Sequence, residues 1–495
     1  MTLHDVYILS PEISMVALAI IVIGVDITTR HKGMLSLISL IGLAIPITLT
    51  ILLWDDIDTN GNLIGIFNSI TLTTFSLYFK LLILTITFFV IMASGDLPES
   101  LRKLKAEFIG LILLSASGMM LLAGVTEFIS IYLSIELSTL PLIALSAFLM
   151  TSRSSEAGIK FLVLSGISSA ILLYGMLIIY GITGTTYLNE ISSVIQESSI
   201  LDKPFGNTSM MLGIILIIAG IGFKVSAVPF HMWVPDVYEG APTHLIAFLS
   251  VASKSIGFAI LLKILYIAFP FFENDWSTLF AIMAVASMSI GNIVAMTQTD
   301  MKRMLGYSGI AHAGYIMVGI ASITSGAQHG GETSGPSSVL FYLAAYSASN
   351  LAAFFIIATI SNYTKSHKID DLAGMWHRSP LLSLVLLISL ISLIGLPPTG
   401  LFIGKIFLFT AAIQNNLTWL AIAGVINSVI STYYYLKPVR VMFMSESINV
   451  EPAKLRIIPT AAIVITGIII VALGIAPQIL TSFSDISGTS ILPLH

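Results

Sequence analysis

The chain contains no cysteine and little charge. The absence of cysteine excludes disulfides, thiolate nucleophiles, iron–sulfur clusters and cysteine-ligated zinc from this chain. Charged residues make up only 10% of it, against about 25% in a typical soluble protein. Because 56% of the residues are hydrophobic, the composition predicts a membrane protein. No Lys or Arg precedes Arg30, so we expect no cleaved signal peptide and interpret the first apolar run as a retained helix.

Long apolar runs recur along the whole chain. Runs of about 20 residues, separated by turns or charges, predict an all-α polytopic membrane protein with about fourteen membrane-spanning helices. Since this number is even, both termini are expected on one side. The predicted spans are residues 11–29, 33–54, 74–94, 107–124, 126–150, 157–181, 210–232, 242–270, 276–297, 303–324, 338–361, 381–413, 417–443 and 456–478.

The basic residues test this arrangement independently, because they collect in the cytoplasmic loops of membrane proteins. With fourteen spans, the basic residues between spans all fall on one side, except Lys203. We therefore expect these loops in the cytoplasm and both termini outside a cell membrane. The residues on the basic side are Arg30, Lys32, Arg102, Lys103, Lys105, Arg153, Lys302, Arg303, Lys365, Lys368, Arg378, Lys437, Arg440, Lys454 and Arg456.

Two of the predicted spans contain proline within an apolar run. Pro229 lies in the seventh span, in FKVSAVPFHMW, and Pro397 and Pro398 lie in the twelfth, in SLIGLPPTGLFIGK. Proline removes a helical hydrogen bond, so both helices are predicted to break there. Paired broken helices indicate two inverted five-helix repeats.

The predicted order of domains follows from these repeats. Residues 1–106 contain helices 1–3, and residues 107–270 form the first antiporter-like repeat with helices 4–8. Residues 271–443 form the second, inverted repeat with helices 9–13, and residues 444–495 carry the C-terminal helix 14.

Four titratable residues are expected at membrane depth. Glu136, Lys224 and Lys254 fall near the middle of their spans, and Lys405 follows the break in the twelfth. An ammonium group at the bilayer centre costs about 2.5–3.5 kcal/mol, so buried lysines indicate a function. One acid cannot neutralise three lysines. We therefore predict that the four residues form a row that conducts protons, rather than static ion pairs.

Five further residues are weaker candidates for a role in proton transfer. His231 and His312 could relay protons, since imidazole titrates near neutrality, or could be hydrogen-bonded core residues. Lys160 lies close to the inner surface. It could relay protons, or its side chain could extend to the membrane interface. Lys80 and Lys263 lie near the outer ends of their helices, so we expect their side chains to snorkel.

We expect no metal site and no bound cofactor in this chain. Gly220 and Gly222 lack the preceding strand and the third glycine of a dinucleotide-binding fingerprint, so helix packing explains them better. The longest outer loops, about 55–73 and 182–209, carry acids, Asn and Thr and are expected to be solvated connections.

Three segments have distinctive amino-acid sequences: FKVSAVPFHMWVPDVYEGAPT, QTDMKRMLGYSGIAHAGY and GLPPTGLFIGK. They resemble the proton-translocating, antiporter-like membrane subunits of respiratory complex I, and the similarity runs from about the fourth to the thirteenth span. Two features distinguish the chain within that family. The last span ends near the C-terminus, which leaves no room for a long lateral helix, and Lys405 stands where one relative has glutamate.

The resemblance implies a fold and a set of roles. The fold is fourteen helices with two inverted five-helix repeats, each containing a broken helix. Glu136 would tune Lys224, Lys254 would connect the two halves, and Lys405 would be the terminal lysine. The tenth span has no acid equivalent to Glu136.

The resemblance also implies a non-redox, proton-pumping subunit of an NADH:quinone oxidoreductase. NADH, FMN, iron–sulfur clusters and quinone are then expected in partner subunits. The expected partners are other membrane subunits, including antiporter-like neighbours, and the lipid bilayer, with no nucleic acid. Two alternatives stay open. One is a subunit of a multi-subunit sodium/proton antiporter, whose partners carry no redox centres, and the other is a membrane scaffold whose charges dock neighbours.

Overall fold

The computed structural model describes residues 2–28, 32–197, 206–322, 335–364, 366–446 and 455–491, without the side chain of Lys32. Four residues of the predicted charge pattern, Arg30, Lys203, Lys365 and Lys454, lie outside the described residues. Within these ranges the chain is almost entirely helical.

The first part of the chain consists of helices joined by one β-hairpin. Its strands pair antiparallel, with Leu63 opposite Leu72. The predicted solvated connection at 55–73 is therefore largely regular structure, with Ile70 and Leu72 buried and Phe67 exposed. Thr73 and Ser76 form a capping box at the start of α5. The elements are α1 Leu3–Ile8, α2 Ser10–Thr28, α3 Lys32–Gly42, α4 Ala44–Asn60, β1 Leu63–Gly65, β2 Ile70–Leu72, α5 Thr74–Ala93 and a 3₁₀ turn Ser94–Asp96.

The middle part contains the first broken helix. Glu127 caps α8 by accepting hydrogen bonds from the backbone N–H groups of Ile129 and Ser130. The predicted solvated loop at 182–209 contains a further helix, α10. The elements are α6 Glu99–Arg102, α7 Lys105–Gly124, α8 Phe128–Ser146, α9 Ser152–Thr183, α10 Leu188–Glu197, α11 Gly206–Val225, α12 Val234–Gly240, α13 Thr243–Phe248, a π turn Leu249–Ser253, α14 Lys254–Lys263 and a π turn Ile264–Ala268.

The last part contains the second broken helix. Asp300 caps α16 through the backbone N–H groups of Lys302 and Arg303. The elements are a 3₁₀ turn Pro270–Phe272, α15 Glu273–Met296, α16 Met301–Ala321, α17 Gly335–Thr364, a 3₁₀ turn Ile369–Leu372, α18 Met375–Arg378, α19 Pro380–Ile394, α20 Gly400–Gln414, α21 Thr418–Met444, α22 Ile457–Ile475 and α23 Gln478–Thr489.

The membrane-spanning segments agree with the predicted spans. Thirteen helical segments within the described ranges are long and apolar enough to cross a bilayer. The shorter apolar helices α19 and α20 lie end to end along the chain and together occupy the predicted twelfth span. The prediction of an all-α polytopic membrane protein is confirmed. The domain boundaries at 106, 270 and 443 stay a prediction.

Both proline sites interrupt a helix. Helix α11 ends at Val225 and helical structure resumes at Val234, so Pro229 lies in the interruption. Helix α19 ends at Ile394 and α20 begins at Gly400, with Pro397 and Pro398 between them.

Side chains satisfy backbone groups that the first break leaves free, as a membrane interior requires. The Val228 N–H donates to Ser287 Oγ at 2.9 Å, and Trp233 Nε1 donates to the Phe223 carbonyl at 2.9 Å.

The centre of the bundle is formed by α13, α14, α16 and α17. Nearly all residues of these helices are buried, whereas only about one third of the apolar stretches of α9 and α22, on the periphery, is buried. A charged side chain on a central helix is therefore surrounded by protein and does not face lipid.

One end of the bundle collects basic residues. Arg153 at the start of α9 and Arg303 at the start of α16 both contact Glu239, at 3.7 and 2.8 Å. Arg456, just before α22, lies 3.7 Å from Asp96. We call this the basic end of the bundle.

Candidate functional site: a row of buried lysines

The first lysine of the predicted row lies beside the first helix break. Lys224, on the last turn of α11, is buried, and its ammonium donates to Ser138 Oγ at 2.8 Å and Thr139 Oγ1 at 3.0 Å, both on α8. Two hydroxyl oxygens therefore solvate this cation inside the bundle.

Glu136 lies on the same helix as these hydroxyls but bonds in another direction. Its carboxylate accepts a hydrogen bond from Ser169 on α9. No oxygen of Glu136 lies within 4 Å of the Lys224 ammonium, although the two residues still interact electrostatically. The expected partners are near each other without forming a direct ion pair.

A small cavity lies beside Lys224, between α8, α9 and α11. Its lining is mainly apolar, with Thr139, Ser165, Ser168, Ser169, Ser253 and Lys224 as polar members, and Glu136 does not line it. Ser169, which holds Glu136, and Lys224 thus border the same space, which has room for a water molecule.

The second lysine of the predicted row lies on one of the central, buried helices. Lys254, at the first position of α14, is 2% exposed, and its ammonium donates to the Gly309 carbonyl on α16. The same nitrogen lies 5.6 Å from the centre of the Tyr346 ring on α17. A carbonyl dipole and an aromatic face therefore take the place of a carboxylate.

His312 follows Gly309 by one helical turn and forms the centre of a hydrogen-bonded cluster. Its Nδ1 lies 2.7 Å from the Tyr342 hydroxyl, and its Nε2 lies 3.1 Å from the Tyr435 hydroxyl. The Tyr346 ring packs against the imidazole, with ring centres 4.9 Å apart. Tyr435 also shares a hydrogen bond with Ser308. Both ring nitrogens are therefore paired with hydroxyl groups that can donate or accept.

The third lysine lies beside the second helix break. The Lys405 ammonium, on α20, donates to the Ile394 carbonyl at 2.7 Å and to Ser428 Oγ at 2.9 Å. It lies 4.3 Å from the centre of the Tyr315 ring, which packs edge-on to His312 at 5.7 Å. The residues from Lys254 to Lys405 thus form one contiguous polar and aromatic cluster.

Sequence reasoning missed the tyrosines of this cluster. Tyr342 and Tyr346 are one turn apart on α17, so they share a helix face, and that spacing was the available signal. Tyr435 comes from α21, and no local pattern shows that it meets His312.

Two other candidate residues lie elsewhere. His231 lies in the interrupted segment after α11 and is half-buried. Lys160 is 41% exposed and pairs with Glu156 and Asp236, each at 2.7 Å. It belongs to the ion network of the basic end, which also includes Arg303.

The expectation that Lys80 and Lys263 snorkel was wrong. Lys80 is 1% exposed and its ammonium lies 2.7 Å from a carboxylate oxygen of the buried Glu12. Lys263 is also buried and donates to the carbonyls of Ala123 at 2.6 Å and Val125 at 3.0 Å. Neighbouring helices cover both side chains before they can reach the interface.

The region that contains the lysine row matches a known family. The model of the NADH:quinone oxidoreductase/Mrp antiporter transmembrane family matches residues 125–431. The chain belongs to this family. The match includes Glu136, Lys224, Lys254 and Lys405.

Members of the NADH:quinone oxidoreductase/Mrp antiporter family include proteins similar to this chain over nearly its full length. It is 38% identical to NADH-quinone oxidoreductase subunit N of Desulforamulus reducens, over 96% of this chain and 96% of that protein. A chain of respiratory complex I from Thermus thermophilus with bound aureothin has a TM-score of 0.78 and 26% identity, covering 95% of this chain and 98% of that chain.

An antiporter complex has the same fold. A chain of the Mrp complex from Dietzia sp. has a TM-score of 0.84 and 18% identity, covering 99% of this chain and 98% of that chain. At this identity the likeness is one of fold alone.

Proposed function

We propose that this chain is the subunit N type membrane subunit of a redox-driven NADH:quinone oxidoreductase, and that it translocates protons through Glu136, Lys224, Lys254 and Lys405. The contiguous cluster from Lys254 through His312 to Lys405 carries this proposal, because it offers proton donors and acceptors across the central helices. The near full-length similarity to subunit N supports the choice of complex.

This chain would supply proton transfer and no redox chemistry. NADH, FMN, iron–sulfur clusters and quinone would then be held by partner subunits. The neighbours would be other membrane subunits of the complex, in a cell membrane with the basic end in the cytoplasm and both termini outside.

The first half of the path would be controlled by Glu136. Its carboxylate is held by Ser169, which lines the same cavity as Lys224. Two opposite charges about 4 Å apart attract each other by about 4 kcal/mol, relative to full separation, at an effective dielectric constant of about 20. Moving one proton against about 150 mV costs about 3.5 kcal/mol. A swing of Glu136 between Ser169 and Lys224 changes part of this attraction, so it would contribute to loading and releasing a proton together with changes in the desolvation of the buried lysine.

The second half of the path would run through imidazole. A neutral histidine accepts a proton on one ring nitrogen and releases one from the other, so His312 can pass a proton between its two tyrosine hydroxyls. The Tyr342 ring packs against Gly404, the residue before Lys405. The relay therefore ends beside the terminal lysine.

The test is NADH-driven proton uptake into vesicles that contain the native complex. Lys224→Met removes the ammonium, and Lys103→Met removes an exposed lysine at the basic end as the control. We expect Lys224→Met to abolish uptake while a native gel shows full assembly. Unchanged uptake would show that the row of buried lysines has a structural role and does not conduct protons. Uptake driven only by a sodium gradient, in wild type as well, would identify an antiporter instead.

A further inference from the structure

A cavity with cations in a mainly apolar lining lies at the basic end of the bundle, apart from the lysine row and outside the family match at 125–431. It is a cavity of about 1300 Å³, counting its open mouth, between α3, the end of α5, the start of α7 and the segment before α22. Arg102, Lys105 and Arg456 line it, together with apolar side chains that include Met92 and Ile458.

Lys105 is the most buried cation that lines this cavity. The residue is 7% exposed, and its ammonium makes no hydrogen bond or ion pair with the part of the chain that the structure describes. A cation held in a mostly apolar cavity without a counter-ion is stabilised by an anion that enters the cavity.

The two arginines of the cavity are only weakly neutralised. Arg102 lies 3.8 Å from Glu99, and both side chains are exposed. Arg456 donates to the Gly95 carbonyl, and its Nε lies 3.7 Å from Asp96. Lys105 is close enough to both arginines to be repelled by them. Among the described residues, three cations therefore line this cavity, and the largely buried carboxylate of Asp96 lies beside one of them.

The walls of the cavity indicate what kind of anion fits. The cavity lies where the spans α5, α7 and α22 meet the membrane boundary, and Ile457 and Ile458 extend its apolar side into an exposed surface. A soluble anion would gain nothing from such a surface. A phospholipid can place its phosphate among the cations while its acyl chains follow the apolar wall, and basic pockets between membrane helices are known to favour anionic headgroups.

We propose that this cavity binds the headgroup of an anionic phospholipid, with its phosphate among Lys105, Arg102 and Arg456. The bound lipid joins α22 to the first three spans, because Arg456 precedes α22 and Lys105 begins α7. This site is independent of proton transfer through the lysine row.

The test measures lipid binding by the delipidated, detergent-purified complex. Spin-labelled phosphatidylglycerol is titrated against spin-labelled phosphatidylcholine, and the number of immobilised lipids per complex is counted. We expect Lys105→Met to lose one tightly bound phosphatidylglycerol, or to weaken it at least tenfold. Lys105→Arg should keep it. Lys103→Met is the matched control, because Lys103 is exposed and does not line the cavity.

Three outcomes would overturn the proposal. One is equal phosphatidylglycerol binding by wild type and Lys105→Met. Another is competition by inorganic phosphate at equal affinity, which would identify a simple anion site. The last is lipid binding by the isolated chain that is lost in the assembled complex, since a neighbouring subunit would then cover the cavity.

Discussion

Lys254 and Tyr346 converge on the surface of one glycine. A Cβ atom on Gly309 would lie 3.1 Å from the Lys254 ammonium nitrogen and 3.3 Å from the Tyr346 hydroxyl oxygen. The Gly309 carbonyl also accepts the hydrogen bond of Lys254. Lys254 is therefore held at a position where a side chain on Gly309 would have almost no room.

We expect Gly309→Ala to slow proton uptake while leaving assembly intact. The added methyl group pushes the flexible end of Lys254 away from its carbonyl acceptor. A displacement that costs about 1 kcal/mol corresponds to a rate loss of about fivefold. The measurement is NADH-driven uptake at matched amounts of assembled complex. Gly166→Ala is the control, since a Cβ there meets nothing within 4 Å, and an equal loss in both variants would contradict a specific role for Gly309.

His312→Phe should interrupt transfer between Lys254 and Lys405. The phenyl ring fills a similar space but cannot exchange protons with the hydroxyls of Tyr342 and Tyr435. Removing a group that relays protons typically costs about 10²–10⁴-fold in rate, so we expect uptake to fall at least about a hundredfold.

A neighbouring tyrosine provides the control for this cluster. The Tyr434 hydroxyl donates to Asn292 at 3.0 Å and makes no hydrogen bond to His312. Tyr435→Phe should therefore reduce uptake, and Tyr434→Phe should not. If both tyrosine variants and His312→Phe kept normal uptake, the cluster would be packing alone.

The lysine row could be predicted because its members stand out one by one in apolar sequence, and the helix breaks could be predicted because proline acts locally. The hydrogen-bond partners of the lysines and of His312 could not be predicted. Ser138 and Thr139 accept hydrogen bonds from Lys224 on another helix, and Tyr435, which contacts His312, is more than a hundred residues away in the sequence. Such contacts depend on how helices pack, which no local pattern records.

The same reason explains the wrong expectation for the outer lysines. Depth along a helix suggested that Lys80 and Lys263 could reach the interface. Whether a side chain can do so depends on what covers it, and α2 places Glu12 directly against Lys80. Because a neighbouring helix buries Lys80, its ammonium forms an ion pair and does not extend to the interface.

The buried Glu12–Lys80 pair should be strongly coupled in stability. Lys80→Met leaves the Glu12 carboxylate buried without a counter-ion, and breaking a buried pair in this way typically costs about 3–5 kcal/mol. The double variant Glu12→Gln/Lys80→Met removes both charges and should recover most of this loss. Thermal unfolding of the purified chain measures the difference. If the double variant were no more stable than Lys80→Met alone, the two charges would not be coupled.

Ser169→Ala tests whether Glu136 acts on Lys224 by moving. The serine hydroxyl holds the carboxylate on the side of α9. Without that hydrogen bond Glu136 is free to turn towards Lys224, where it would hold a protonated lysine more tightly and slow proton release. A stabilisation of about 1.4 kcal/mol predicts about tenfold slower uptake.

The adjacent serine separates this effect from a general disturbance of α9. Ser168 lines the same cavity, but its hydroxyl donates to the Gly220 carbonyl at 2.8 Å and not to Glu136. Ser168→Ala should therefore leave uptake near the wild-type rate. Combining Ser169→Ala with Glu136→Gln should abolish the extra slowing, because the neutral amide cannot hold the lysine charge. If Ser169→Ala slowed uptake equally with and without the Glu136 carboxylate, the serine would act through packing and Glu136 would not be the mobile element of the path.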